Sequence, residues 1–492
     1  MSPSDTVTFI LDGQLHSVRF DGTAAFKPST TVLNYLRSLS NHKGVKEGCA
    51  EGDCGACTVV VASIGENGRL NYEALDSCLV FLPMIQGKQL ITVENLKHPS
   101  YGPSGLHPVQ ELMVTENGSQ CGYCTPGFIM SMFALYKNHH NPSREIILDA
   151  LTGNLCRCTG YQSIVNAAQK ACQKHGTDHF TTTREQVTEM LAVMEMNAVD
   201  LELSGAGQQY FRPVSLQSAL QLRSQYPDAV LVSGATDVAL RQTKKNEFFK
   251  QILDLSGVKE LNSHEVEEDS LSFGASVTLE KLKNIVRETM PSLYDMLVVF
   301  GSLQIRNIAT LGGNVGSASP IGDTLPLLFA YKAKVRLQHD IAGERVLPID
   351  KFITGYRQTA LMPGELITEI IIPLPDKATL YKSYKVSRRK DLDISTVSAA
   401  FALKLDEKGW VDDIVLAYGG MAASTQRAIR TENILLWEPW NERNVHKAMK
   451  ELEQEFTPLS DARSHARARK TAASNLLLKF YFDTIDSLPP ED

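Results

Sequence analysis

The sequence predicts a multidomain α+β protein, and three observations carry that reading. The first 95 or so residues mix a hairpin pattern, a short amphipathic helix and an apolar strand-like run. From about residue 107 to 172 the apolar spacing becomes helical. From about residue 210 strand and helix patterns alternate, and the chain closes on strands followed by helices.

Taken in order, TVTFILDGQLHSVRF alternates apolar and polar residues around a DG turn and reads as a β-hairpin. TTVLNYLRSL reads as a short helix, a Gly/Cys-rich loop follows, and TVVVAS reads as a strand, completing a small domain over 1–95. Within 96–174, the segments PVQELMVTEN, FIMSMFALYKNH, SREIILDALTG and YQSIVNAAQKACQK each repeat apolar residues three and four apart. Each of two turns between these helices carries a cysteine pair. Residues 175–206 are polar; KHGTDHFTTTREQ is expected as an exposed linker and QVTEMLAVMEM as a short helix. Two further domains are expected over 207–377 and 378–492. In the last, SAAFALKL and DDIVLAYGG are strands, and NERNVHKAMKELEQEF and ARKTAASNLLLKFYFDTI are helices.

A net charge of −7 argues against a nucleic-acid or membrane-surface role. No stretch approaches the roughly 18 apolar residues of a membrane span. The N-terminus lacks a basic region followed by a long apolar one, so a cytoplasmic location is expected. All nine cysteines lie between Cys49 and Cys172. A disulfide scaffold would be stapled throughout, so this crowding points to metal binding.

CAEGDCGAC places Cys49, Cys54 and Cys57 at C-x4-C-x2-C, and Cys78 follows later. That is the plant-type spacing for a [2Fe–2S] cluster: one loop wraps three ligands around the inorganic core and a distant cysteine closes it. Gly48, Gly52 and Gly55 allow tight loop conformations and bring N–H groups toward sulfur. Structural zinc is the alternative, but it usually uses two short C-x2-C knuckles, and this spacing fits poorly. QCGYCTPG supplies Cys121 and Cys124, and NLCRCTGY supplies Cys156 and Cys158, each pair at a helix start. Alone, this second quartet is open to zinc; beside the first, a second [2Fe–2S] cluster is the expectation. Cys172 fits neither quartet and is expected as a buried packing thiol.

KEGCAEGDCGACTV, SQCGYCTPGFIMS and LTGNLCRCTGYQSIV resemble the iron–sulfur half of the molybdenum hydroxylases, the xanthine dehydrogenase and aldehyde oxidase family. The resemblance implies a ferredoxin-like β-grasp domain and a four-helix domain, with the helical-domain cluster nearer the molybdenum cofactor. It also implies that Gln120 contacts the pterin of that cofactor.

Two glycine-rich loops follow. AVLVSGATDVAL reads as a strand, a glycine turn and a helix start, where backbone N–H groups can cradle a pyrophosphate. RNIATLGGNVGSASPIGDTLP adds Gly312, Gly313 and Gly316, with Thr310, Asn314 and Ser317 as donors and Asp323 as an acceptor from a ribose hydroxyl. Neither loop is a G-x-G-x-x-G fingerprint, which excludes a Rossmann site. Both resemble the FAD domain of the same family, of vanillyl-alcohol-oxidase-like fold. That resemblance places Leu231, Val232, Ser233, Gly234, Ala235, Thr236, Asp237 and Val238 in the first FAD loop. Thr310, Leu311, Gly312, Gly313, Asn314, Ser317 and Asp323 fall in the second. Phe300 is matched to the aromatic residue against the isoalloxazine, and Ile367 and Lys385 to further flavin-side positions. Ser233 stands where many relatives have a second glycine. GGMAASTQRAIRTE resembles the C-terminal flavoprotein domain of the family.

The family's molybdenum-binding region is much larger than anything these 492 residues leave room for. The resemblance therefore implies the redox subunit of a bacterial two-subunit member, with the molybdenum cofactor on a partner chain and an (αβ)2 assembly. Electrons from purine oxidation would pass through the second quartet's cluster, then the first, to FAD and NAD+. No acid or base residue is expected in this chain, and His107, His139 and His140 are read as surface or packing residues. Aldehyde or N-heterocycle oxidation within the family, a stand-alone NADH-dependent carrier, and a zinc-binding interaction module are the competing readings.

Overall fold

The computed structural model describes residues 2–24, 26–174 and 176–485. The chain packs as two compact units, one formed by residues up to 259 with 301–309, the other by 260–300 with residues from 310 onward.

The first unit opens on the expected hairpin, β1 (Thr6–Leu11) and β2 (Gln14–Arg19). Its turn is made by Asp12 and Gly13, both at positive φ, as a tight two-residue hairpin requires. Helix α1 (Val32–Ser38) is capped by the Thr31 side chain and buries Val32, Leu33, Tyr35 and Leu36. With β3 (Thr58–Ile64), β4 (Leu70–Asp76) and β5 (Gln89–Ile91), the sheet runs β2-β1-β5-β3-β4. Only β1 and β5 are parallel, which gives a β-grasp with α1 on its buried face.

Helices α2 (Pro108–Thr115), α3 (Thr125–Asn138), α4 (Arg144–Leu151) and α5 (Gln162–Gln173) fall in the four expected segments. Every residue of α3 from Gly127 to Tyr136 is buried. A helix apolar all round must be central, and α3 indeed packs between its sister helices and the outer strands of the β-grasp sheet.

The linker stretch holds the short helix expected at QVTEMLAVMEM, but its first part, expected to be exposed, is instead anchored. It forms α6 (His179–Thr182) and α7 (Arg184–Met196), then enters β6 (Leu201–Gly205). The anchor is Asp178, whose carboxylate accepts from Lys137 Nζ at 2.8 Å and from His107 Nε2 at 3.2 Å. All three side chains are buried. His107 Nδ1 accepts from the Val109 N–H and caps α2, which leaves Nε2 as the protonated nitrogen. His107 is thus a packing residue, while His139 and His140 are exposed. Composition hid this anchor because a polar stretch looks the same whether its charges meet water or a buried lysine.

Strands β6, β7 (Gln208–Arg212), β8 (Val230–Val232) and β9 (Gln251–Asp254) form a second sheet ordered β6-β7-β9-β8, with α8 (Leu216–Gln225) and α9 (Val238–Thr243) between. Leu201, Leu203, Tyr210 and Ile252 share one hydrophobic core with Phe9, Leu36, Cys57 and Cys78. That shared core puts residues 201–259 in the first packing unit. Residues 301–309 join it by burying Gln304 and Arg306, the latter paired to Asp149 at 2.7 Å.

In the second unit, strands His264–Val266, Ser270–Gly274, Glu365–Pro373, Lys334–His339 and Gly343–Pro348 form a five-stranded sheet in that order. Strands Thr379–Val386, Val397–Leu405, Val411–Gly419 and Gln426–Arg427 form an antiparallel sheet. Helices Glu442–Glu455 and Ala466–Phe482 bury its apolar face, as the sequence pattern indicates. Among the described residues no helix is long and apolar enough to cross a membrane.

Burial pushes the Asp178 carboxyl up, but His107, Lys137 and Thr181 outweigh it and hold the group well below its ordinary 3.8. A depressed folded-state value stabilises above 3.8 and loses that contribution as pH falls below it. Asp178→Asn should cost about 3 kcal/mol at neutral pH by stranding buried Lys137. The deficit against the native chain, read by urea unfolding, should shrink below pH 4.

Candidate metal centres and flavin loops

Cys49 and Cys54 lie on the loop between α1 and β3, Cys57 at the foot of β3, and Cys78 just past the end of β4. The loop folds back so that the N–H groups of Glu51 and Asp53 point at Cys49 Sγ (3.4 and 3.3 Å) and the Cys49 N–H at Cys54 Sγ (3.3 Å). Gly48 makes this possible: a Cβ there would sit 2.7 Å from Cys54 Sγ. The thiols meet in two pairs, Cys49 with Cys54 and Cys57 with Cys78. The hydrogen bond from Cys49 lowers Cys54 to about 7, while Cys49 is pushed up by the same bond and by burial. Cys57, buried beside Cys78, is raised well above the ordinary thiol range.

The second quartet is built the same way on helix starts. Cys124 caps α3, with Cys121 three residues before it, and Cys156 and Cys158 lie on the turn between α4 and α5. Cys124 pairs with Cys156 and Cys121 with Cys158. Burial, and then the bond to Cys156, raise Cys124 to about 12. Burial works against ionisation of Cys156, but donors on Thr159 and Cys158 outweigh it and lower that thiol. Among the described residues no group of three or more His, Cys, Asp or Glu side chains is arranged to hold a single metal ion; the cysteines stand as adjacent pairs. This donor set fits a two-iron core. Paired thiolates repel one another, positive irons would offset that repulsion, and backbone N–H groups already face Cys49 and Cys54 sulfur. Cys172 lies apart, buried in α5, with its thiol raised to about 11 by burial alone.

Three neighbours of the first quartet gave no sequence signal. Asp76 is fully buried with Oδ1 at 3.7 Å from Cys57 Sγ, and burial raises its carboxyl far above the ordinary range. Lys244 Nζ donates to the Cys49 carbonyl at 3.0 Å and pairs with Glu51 at 3.3 Å. Thr243 Oγ1 donates to the Ala50 carbonyl at 2.8 Å. Thr243 and Lys244 lie nearly 200 residues along the chain from the loop they hold.

The first glycine-rich loop connects β8 to α9 in the first unit. Ala235 takes a left-handed φ of 60°. Gly234 is packed so tightly that a Cβ would fall 1.8 Å from the Ile308 carbonyl oxygen. In the second unit, Thr310 caps the helix Leu311–Ser317 by accepting from the Gly313 N–H. Gly312 is pressed on Ala275, where a Cβ would meet Cβ at 2.5 Å. Gly234 and Gly312 thus pack closely on neighbouring chain segments on the side a Cβ would occupy. Asn314 Oδ1 accepts from Thr324, and Ser317 donates to the Asn314 carbonyl. Asp323 and Lys385 form a buried pair at 2.9 Å, completed by Ser395 donating to Asp323 at 2.6 Å and by Lys385 donating to the Val299 carbonyl, next to Phe300, at 2.9 Å. Ile367 lies against Gly316. Within this unit, Thr310, Asn314, Ser317, Phe300, Ile367, Asp323 and Lys385 are therefore held by short local contacts. A buried charge pair and hydroxyl-rich turns suit a polar, phosphate-bearing group.

Two cysteine quartets and two glycine-rich loops define an iron–sulfur flavoprotein. Comparison with known families finds a 2Fe-2S iron-sulfur cluster binding domain over 19–80 and a [2Fe-2S] binding domain over 92–169. It also finds an FAD binding domain in molybdopterin dehydrogenase over 204–375 and a CO dehydrogenase flavoprotein C-terminal domain over 382–484. The chain belongs to the molybdenum hydroxylase family that includes the xanthine dehydrogenases. It is 31% identical to xanthine dehydrogenase 1 of Arabidopsis thaliana over 92% of its length and 38% of that protein's. It is also 31% identical to xanthine dehydrogenase/oxidase of Gallus gallus, over 94% of its length and 39% of that protein's. The chain thus spans about two fifths of the length of the curated relatives it matches. Among solved structures, quinoline 2-oxidoreductase from Pseudomonas putida 86 matches with a TM-score of 0.52 and 25% identity, covering 56% of this chain and 95% of that one. Carbon monoxide dehydrogenase from Hydrogenophaga pseudoflava matches with a TM-score of 0.52 and 25% identity, covering 55% of this chain and 94% of that one.

With two two-iron centres, the purified chain should hold about four irons. Cys78→Ser and Cys156→Ser should each lower this to about two, read by iron analysis and visible absorption. Cys172→Ser should leave iron content unchanged.

Proposed function

We propose that the chain is the electron-transfer subunit of a bacterial xanthine dehydrogenase, working between a molybdenum cofactor on a partner subunit and NAD+ during hypoxanthine and xanthine oxidation. The observation that carries this reading is the unequal exposure of the two quartets. Cys57 and Cys78 are sealed in the protein, whereas Cys121 and Cys158 are exposed. Around the exposed pair, Tyr123 (49% exposed), Leu155 (36%) and Tyr161 (38%) present apolar surface beside Gln120. A redox centre ringed by exposed apolar side chains suits a partner protein, which would bury both. Electrons therefore enter at the second quartet and leave by the first.

When bound, each [2Fe–2S] cluster supplies one-electron storage and FAD supplies the step from single electrons to a hydride. The chain's own residues hold and insulate. Cys57, Cys78 and Asp76 exclude water from one side of the first quartet, and Lys244 sets a positive charge at the Cys49 carbonyl. Leu231 to Val238 and Thr310 to Asn314 are the FAD loops, with Ser317, Asp323, Phe300, Ile367 and Lys385 lining the flavin's surroundings. Gln120 contacts the partner's pterin. No side chain here acts as acid or base, the assembly is (αβ)2, and the location is cytoplasmic.

The relatives' names favour a purine substrate, while the quinoline oxidoreductase among the structural neighbours favours an N-heterocycle. The test is to co-purify the chain with its molybdenum-containing partner and follow NAD+ reduction. Hypoxanthine and xanthine should drive it. Reduction by quinoline or an aldehyde alone would establish the second reading, and a chain that oxidises NADH without any such partner would refute both.

A further inference from the structure

The loops that carry the two quartets meet in a small buried knot in the first unit. The Cys54 carbonyl accepts from the Leu155 N–H at 3.0 Å, and Leu155 adjoins Cys156. Gly55 is pressed on Asn154, where a Cβ would fall 2.3 Å from its Nδ2, and Gly127 is pressed on Gly55, where a Cβ would fall 2.0 Å from its carbonyl oxygen. The loop after Cys54, the helix start after Cys124 and the turn before Cys156 thus meet backbone to backbone.

Side chains lock this contact. Asn154 Nδ2 donates to the Gly55 carbonyl at 3.0 Å and to Thr58 Oγ1 at 3.1 Å. Asn154 Oδ1 accepts from Ser131 Oγ at 2.6 Å and from Gln304 Nε2 at 3.1 Å, and Gln304 Nε2 also donates to Ser131 at 2.8 Å. Asn154, Ser131 and Gln304 are all buried. The Gln304 Oε1 atom is buried with no partner among the described residues, wedged where a Cβ on Gly153 would fall at 2.1 Å. An unpaired buried acceptor is destabilising, so stability alone is a poor reason for glutamine here. Its two donated bonds on the Asn154 lattice are what it contributes.

We propose that Asn154, Ser131 and Gln304 are positioning residues that fix the spacing of the two quartets, with the Leu155 N–H to Cys54 carbonyl bond as a direct backbone link between their loops. This rests on the electron-relay reading. One electron crosses from the second quartet's side to the first's, one side oxidised and the other reduced by that electron, with no bond made or broken and no proton moved. Small errors in the spacing of reacting centres cost rate steeply.

The test compares the native chain with Asn154→Ala, Ser131→Ala and Gln304→Met. Gln304→Met keeps the volume and removes the orphaned oxygen, so its fold should persist. Each protein is assayed for iron, for the magnetic interaction between the two reduced clusters by electron paramagnetic resonance, and for the inter-cluster electron-transfer rate after a reducing pulse. Asn154→Ala and Gln304→Met should retain about four irons while the interaction weakens and transfer slows on the order of tenfold. Native interaction and rate in Gln304→Met would overturn the proposal, including where Asn154→Ala loses iron. A native chain lacking two cluster signals would overturn the relay reading itself, and the proposal with it.

Discussion

The first unit is organised around mutual repulsion among thiolates. Each quartet brings potentially negative sulfurs together in adjacent pairs, and the bond between Cys49 and Cys54 displaces those two thiols in opposite directions. Cations relieve that repulsion only if the loops are already in place, because an unfolded chain holds no such site. The β-grasp sheet anchors Cys57 and Cys78 at strand ends, and the starts of α3 and α5 anchor the other quartet. What remains of the unit braces those loops: Lys244 and Thr243 hold the Cys49–Ala50 backbone, and Asn154 ties one quartet's loop to the other's.

Much of this was legible in the sequence. Cysteine spacing is a local signal that gathers the eight cysteines into two quartets; which thiols pair, Cys124 with Cys156 and Cys121 with Cys158, spacing does not tell. The hairpin turn at Asp12–Gly13 and the four helices were likewise legible, because each depends on residues a few positions apart. The braces were not. Gln304 meets Asn154 across 150 positions and Lys244 meets Cys49 across 195, and neither residue stands out in its own segment. The start of the 175–206 stretch misled for a related reason. Asp178 and His107 look like surface polar residues until Lys137 is brought to them.

The glycines of the flavin loops teach a narrower lesson. Gly234 and Gly312 are pressed against the protein's own chain on the side where a Cβ would stand. Tight chain-to-chain contact and ligand approach require the same residue, so a glycine alone does not separate them. The buried Asp323–Lys385 pair is more informative, since desolvating two charges is costly unless the site uses them.

The two cysteine quartets and the flavin domain equip this chain to store and pass electrons through two iron–sulfur centres and a flavin. The most direct measurement is an anaerobic reductive titration of the isolated chain, counting electrons while recording visible and paramagnetic resonance spectra. Uptake of about four electrons per chain is expected, one for each of two distinct clusters and two for the flavin. Uptake of two or fewer with a single cluster signal, or a colourless zinc-containing protein, would contradict it.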